Sequence, residues 1–292
     1  MASSNNELKP AMDFTDVELF TSLRYDPLLE NHDVDATNST STNNNNPSNP
    51  KEKSPFYLLQ YHHDRILEAA AHLHWPLVQE TLPTLPSFEE KIVKDMQAKN
   101  ISPAPTKVRF AINQHGKFTI SYMPLPPVPI TTLFPPHLPH PSPSPPHQTF
   151  ENVYIDTHPS PTSPATTYKT THRTVYDNAC ARFAAVLPSS FGGEVLIWDA
   201  EGEVLEGTYT SVYFWRGGRW VTPPVATGPE VWKGHKGTSR RWALERGICG
   251  EEVVGRESVG EGEVVWLSNG ARGFWTGRVV ASELGGEGEL AV

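Results

Sequence analysis

Residues 204–215 read VLEGTYTSVYFW. Tyr209–Trp215 is dense in β-branched and aromatic side chains and predicts a strand. Glu206 stands just ahead of it, and Gly207 beside it lets the backbone approach a ligand closely. Outward from this segment, Val195–Asp199 and Trp220–Thr222 predict flanking strands, joined through turns at Glu201-Gly202 and Gly217-Gly218. Val264–Ser268 predicts a further strand, and Gly237–Arg246 a helix. Toward the N-terminus, Val153–Asp156 predicts a short strand. Tyr168-Lys169 then reads as a strand end before a helix with Val175, Ala179 and Phe183 on one face.

The first half mixes the same element types. Residues 14–25 predict a strand ending at an Asp26-Pro27 turn, and residues 62–75 predict a helix that Pro76 stops. Ser87 and Glu90 form a candidate capping box for a second helix that turns Ile92, Val93 and Met96 inward. Residues 106–123 alternate as a hairpin about His115-Gly116. The expected fold is α+β in two lobes. Three parts are expected: a small domain over 1–123, a proline-rich extended linker over 124–149, and a larger domain over 150–292. The Asn-, Ser- and Thr-rich stretch 31–54 is expected to be a disordered insertion, because its composition buries too little apolar area to offset ordering entropy.

Composition narrows the function. The net charge of −9 lacks the basic excess of a general nucleic-acid binder. No apolar run approaches the roughly 20 residues of a membrane helix. Residues 1–10 carry no apolar leader, so a cytoplasmic protein is expected. The two cysteines, Cys180 and Cys249, have no metal-ligand spacing and are expected to be reduced thiols.

Seven residues at five places in the chain could carry chemistry, and each has an ordinary structural role as well. Lys169, in TYKTTHR (167–173), is either a surface lysine or an amine neutralised by desolvation and nearby cations. Glu206 is a turn residue or an anion aimed at a ligand. Arg65 solvates its helix or grips an anion as a fork. Thr238 and Ser239 cap their helix or complete an anion site at its N-terminus. Asn269 and Gly270 make a turn or border a pocket.

Their order is more specific than any one of them. H-x-x-R-I-L-x-A-A (62–70), a lysine before a helix, L-E-G-T-x-T-S-V-Y-F (205–214), G-T-S-R-R (237–241) and L-S-N-G-x-R-G (267–273) together resemble the class IV aminotransferase-like (fold type IV) enzymes. That family uses pyridoxal 5′-phosphate (PLP). It includes branched-chain and D-amino-acid aminotransferases and 4-amino-4-deoxychorismate lyases, and the fungal lyases are most similar. The resemblance implies Lys169 as the Schiff-base lysine and Glu206 as the partner of the cofactor's ring nitrogen. It also implies Arg65, Thr238, Ser239, Asn269 and Gly270 around the cofactor. Branched-chain aminotransferases carry a tyrosine five positions after the lysine, where this chain has Thr174. The K-x-x-x-R spacing of Lys169 and Arg173 is closer to the lyases. A lyase substrate is a dicarboxylate, for which Arg272 and Arg109 are candidate ligands. Family members are homodimers, and one is expected here. The alternatives are an aminotransferase of the same fold and a non-catalytic protein presenting its proline-rich segment to partners.

Overall fold

The computed structural model describes residues 16–31, 54–141, 150–187, 193–225 and 231–281. Most of the 31–54 stretch therefore lies outside the described residues, as do residues 142–149.

The N-terminal part is a three-stranded antiparallel sheet covered by helices. Strands β1 (Glu18–Tyr25), β2 (Thr106–Asn113) and β3 (Phe118–Pro124) run in that order across the sheet. Between β1 and β2 lie helices α1 (Leu59–His72), α2 (Pro76–Thr81) and α3 (Leu85–Ala98). Period-two alternation sends Leu19 and Leu23 of β1, with Val108, Phe110 and Ile112 of β2, to one face. There they meet Ile66, Ala69 and Ala70 of α1 and Phe88, Ile92 and Met96 of α3. The hairpin turn falls at the expected place. Gly116 takes φ 73°, and the Asn113 side chain accepts from the backbone of His115 and Lys117.

Three local expectations change. Helix α1 runs earlier than 62–75 and stops at His72, with His74 left-handed at φ 57°. Pro76 does not end it but opens α2, at a first-turn position where its missing N–H costs nothing. The capping box of α3 is Thr84 with Ser87, not Ser87 with Glu90; Glu90 instead pairs with Lys94 in solvent. The proline-rich stretch is not simply extended. Its first part forms α4 (Ile130–Leu133) and buries Leu133, Phe134 and Leu138. The Leu133 carbonyl accepts from the Tyr57 hydroxyl at 2.7 Å, and the Leu138 carbonyl from the Trp220 indole at 3.0 Å. Apolar residues spaced between the prolines supply the contact area that the prolines cannot.

The C-terminal part is an eight-stranded mixed sheet. Its strands are β4 (Glu151–Ile155), β5 (Gly193–Trp198), β6 (Val204–Gly207), β7 (Ser211–Arg216), β8 (Arg219–Thr222), β9 (Gly250–Glu251), β10 (Val264–Asn269) and β11 (Gly273–Val279). Their order is β6-β5-β4-β11-β10-β7-β8-β9. One face packs Val153, Leu196, Val212, Phe214, Val265 and Leu267 together. The other face, with Tyr154, Val195, Ile197 and Leu205, is covered by Tyr176, Ala179 and Phe183 of the helix α6 (Thr174–Arg182) and its cap. Helix α5 (Pro164–Thr167) precedes the Lys169 turn, and α7 (Thr238–Glu245) packs Trp242 against Tyr213 and Phe274. Strand β11 has no clear sequence signature. It sits inside the sheet, buried on both faces, so the usual alternation is absent. Gly277 lies in its middle because a Cβ there would stand 2.5 Å from Val153 Cγ2.

The two sheets meet along the outer edge of β1. There Phe20 N donates to Lys169 O and Thr171 N to Glu18 O, and Arg24 N donates to Gly270 O. This seam brings the Lys169 turn and the Gly270 turn to the same strand. Among the described residues, no helix is long and apolar enough to cross a membrane.

Candidate active site

Lys169 does not end a strand. Ser163 caps the short helix α5, and the chain leaves it through Tyr168 into the turn that lies along β1. This docking aims a half-buried side chain inward, with Nζ 3.4 Å from His235 Nε2 and 5.1 Å from the Phe20 ring centre. Burial, then the charges of Arg65 and Arg173, hold its pKa well below the usual lysine range. A lowered pKa enlarges the fraction of the amine that is free to act as a nucleophile.

Glu206 is buried on β6, with Oε1 accepting from the Tyr176 hydroxyl at 2.7 Å and from the His235 backbone N–H at 3.0 Å. Desolvation pushes its pKa up to about 7 against the pull of the Tyr176 hydrogen bond and Lys169. A carboxyl whose folded pKa is raised binds more protons folded than unfolded between the two values. Stability of the cofactor-free protein therefore falls as pH rises from about 4.5 toward 7. Glu206→Gln is expected to remove this contribution, on the order of 3 kcal/mol at pH 7. Urea unfolding at both pH values checks it: the variant's stability should change less across that window, and an unchanged slope would contradict it.

Arg65, from α1, is buried and donates through Nη2 to Thr21 Oγ1 at 2.6 Å, while its Nε has no partner among the described residues. Burial lowers its pKa to about 10, still charged at neutral pH. The Thr21 hydroxyl meets His62 Nδ1 at 2.6 Å, and His62 Nε2 lies 3.4 Å from Thr238 Oγ1. Burial beside Arg65 keeps His62 neutral. Donation by Arg65 leaves the Thr21 proton for Nδ1, so Nε2 carries the hydrogen toward Thr238.

Neither Thr238 nor Ser239 caps helix α7. Its N-cap is Gly237, with no side-chain cap. Ser239 Oγ instead lies 2.8 Å from Ser268 Oγ, itself 2.8 Å from the Tyr213 hydroxyl. The first N–H groups of α7 are thus free of side-chain caps beside a buried guanidinium, which is the arrangement a phosphate needs. Asn269 closes its own turn, Oδ1 accepting from Ala271 N and Arg272 N. Gly270 lies against His62, and a Cβ there would stand 2.5 Å from His62 Cε1 and 2.9 Å from the Ser22 carbonyl. Gly270→Ala is expected to destabilise the protein by about 1–3 kcal/mol and weaken anion binding by displacing His62, read by thermal unfolding with and without inorganic phosphate. Unchanged unfolding would refute the close approach.

The two proposed carboxylate ligands part company. Arg109 extends from β2 with its guanidinium 4.4 Å from the Phe20 ring centre, the same ring that Lys169 approaches. Arg272 is held by Glu151 at 2.9 Å, with its guanidinium carbon 3.8 Å from the Trp275 ring centre. The sequence offered no ligand role for Lys107, one register step from Arg109 on the same face of β2. Burial and the charges of Arg109 and Arg173 lower its pKa. Arg173 donates to Thr208 O at 3.0 Å and packs between Tyr176 and Tyr209. Lys107, Arg109 and Arg173 make a cationic wall near the amine. Sequence reading also passed over His235, Tyr176, Thr21 and His62. His62 was visible as the first residue of H-x-x-R, but His235 lies in KGHKG, which has no recognisable pattern.

The donor set fits PLP. Lys169 supplies an amine and Glu206 a carboxylate, while Arg65 Nε and the α7 N-terminus supply unpaired donors for a phosphate.

Comparison with known proteins agrees. Over 107 residues the chain is 34% identical to a protein of Schizosaccharomyces pombe named "Putative aminodeoxychorismate lyase". That match spans 36% of this chain and 43% of the relative. The branched-chain amino acid aminotransferase of Escherichia coli shares the fold at a TM-score of 0.55 and 15% identity, covering 90% of this chain and 76% of its own. The 4-amino-4-deoxychorismate lyase of Pseudomonas aeruginosa does so at 0.55 and 16%, covering 90% and 83%. The model of the amino-transferase class IV family matches residues 44–279. With most of its length inside that match, this chain belongs to the class IV amino-transferase family.

Proposed function

We propose that this protein is a PLP-dependent 4-amino-4-deoxychorismate lyase, releasing pyruvate and 4-aminobenzoate. The observation that carries the reading is the group of cations around Lys169: Lys107 and Arg173 face its amine, and Arg109 shares the Phe20 ring with it. It suits a substrate with two carboxylates better than an ordinary amino acid with one. The named yeast relative supports the same choice.

PLP bound there would supply an electron sink. Lys169 takes the proton from the ring carbon that bears the substrate nitrogen, and then gives a proton to the enolpyruvyl side chain. The carbon–oxygen bond breaks, pyruvate leaves, and the ring becomes aromatic. No water or acceptor acid is consumed, so positioning and one movable proton suffice. Arg65 with the α7 N-terminus would hold the phosphate, and Glu206 would face the ring nitrogen.

The test is to supply chorismate, glutamine and an aminodeoxychorismate synthase and to follow 4-aminobenzoate by fluorescence and pyruvate by a coupled assay. Equal yields of both products, dependent on this protein, support the lyase. No 4-aminobenzoate, with an amino acid alone bleaching the cofactor band, would make it an aminotransferase.

A further inference from the structure

His235 has no role in the reaction above, yet it lies between the two groups that matter most. Its Nε2 is 3.4 Å from Lys169 Nζ, and its Nδ1 is 4.0 Å from Glu206 Oε1. The ring is buried, and its own backbone N–H is tied to the same Glu206 oxygen at 3.0 Å, which pins the residue in place. The result is a line of amine, imidazole and carboxylate.

We propose that His235 is the proton carrier that readies Lys169, taking the ammonium proton on Nε2 and passing the Nδ1 proton to Glu206. One proton leaves Nζ, one arrives on the carboxylate, and the imidazole ends neutral as its other tautomer. The relay needs an approach of about 1 Å between Nδ1 and Glu206 to reach hydrogen-bond distance.

The surroundings drive the proton in that direction. Arg65 of α1 and Arg173, ahead of α6, face both Lys169 and His235, and Lys107 of β2 faces Lys169. Burial with Arg65, Arg173 and Lys107 disfavours charge on Lys169, and burial with Lys169, Arg65 and Arg173 disfavours it on His235, so both are held well below their ordinary pKa. Tyr176 of α6 donates to Glu206. The Thr166 carbonyl of α5 favours a proton on the imidazole, but no hydrogen bond of good geometry closes on Nδ1. Glu206, raised to about 7, is the one acidic partner in the group and can accept the proton near neutrality. Lys169 would otherwise have to lose its proton to water from a partly closed site.

The inference rests on Lys169 being the reactive amine of the proposed function, but not on which reaction follows. It is tested first on the cofactor-free protein by acetic anhydride labelling against pH, with Lys169 and Lys107 peptides read by mass spectrometry. His235→Gln keeps polar groups in place but cannot carry a proton. A carrier alters how fast the proton leaves and not the equilibrium, so the Lys169 and Lys107 labelling midpoints of this variant are expected to match those of the wild type. Covalent attachment of added PLP should nonetheless slow about tenfold. An attachment rate equal to that of the wild type would overturn the relay. A wild-type Lys169 that labels only in the ordinary lysine range would sink the amine assignment too, so the two failures differ. Should His235→Gln not fold, the wild-type attachment rate in H2O–D2O mixtures decides. A curved proton inventory, from two protons in flight, supports the relay, and a linear one refutes it.

Discussion

Lys169→Ala is expected to cut 4-aminobenzoate formation by about 10⁴-fold and to abolish the absorbance of the lysine-bound cofactor above about 400 nm. The size follows from there being no equivalent substitute. Lys169 is the amine beside His235 and across from Glu206, and it is the one whose pKa is lowered most clearly by burial together with neighbouring cations. Lys107 is the nearest rival, with a pKa also lowered. It projects from strand β2 rather than from the turn that carries Lys169, so residual activity through it should be small. Borohydride reduction followed by peptide mapping separates the cases. Label on Lys169 in the wild type and none in the variant supports the assignment, whereas label on Lys107 in the wild type would defeat it. The variant should fold at least as stably as the wild type, because it removes a buried polar group whose desolvation is costly.

Arg65→Met should move two properties in opposite directions. Cofactor affinity is expected to fall about 10- to 1000-fold, the cost of losing a charge-assisted grip on a phosphate. Stability of the cofactor-free protein is expected to rise, by on the order of 1 kcal/mol. The guanidinium is buried with Nε unpaired, and methionine keeps its stem volume without the charge. Thr21 would keep His62 as a partner. Fluorescence titration with PLP and urea unfolding without it read the two effects. A variant that loses stability while keeping affinity would show that Arg65 serves as a structural counter-charge to Glu206 rather than an anion ligand.

Such opposed effects are expected where folding has gathered charge for a ligand. His62 and Arg65 of α1, Thr21 of β1 and Thr238 of α7 come from three separate segments and form one hydrogen-bonded chain. Among the described residues the buried Arg65 Nε has no partner, and it marks where an anion would complete the chain. The Gly270 turn closes this group from the other sheet, and its lack of a side chain is a packing requirement.

The amino-acid sequence alone determined most of the element types, the α+β class and the family resemblance, and it named the polar residues from which a site could be proposed. These are local properties. Alternation in 204–215, the order of the motifs and the glycine turns each depend on a few neighbouring positions. Tertiary structure alone decided which of several cations face the amine. Arg272 lies next to a motif in the chain but is taken by Glu151 and Trp275, whereas Lys107 and Arg173 reach the Lys169 region from distant segments. It also decided the role of His235, which lies 66 positions from Lys169 in the chain and 3.4 Å from it in space. Strand β11 escaped for a related reason: burial on both faces erases the alternation that marks a strand. A side chain's pKa and partners depend on what folding brings around it, and that information lies in no single stretch of the chain.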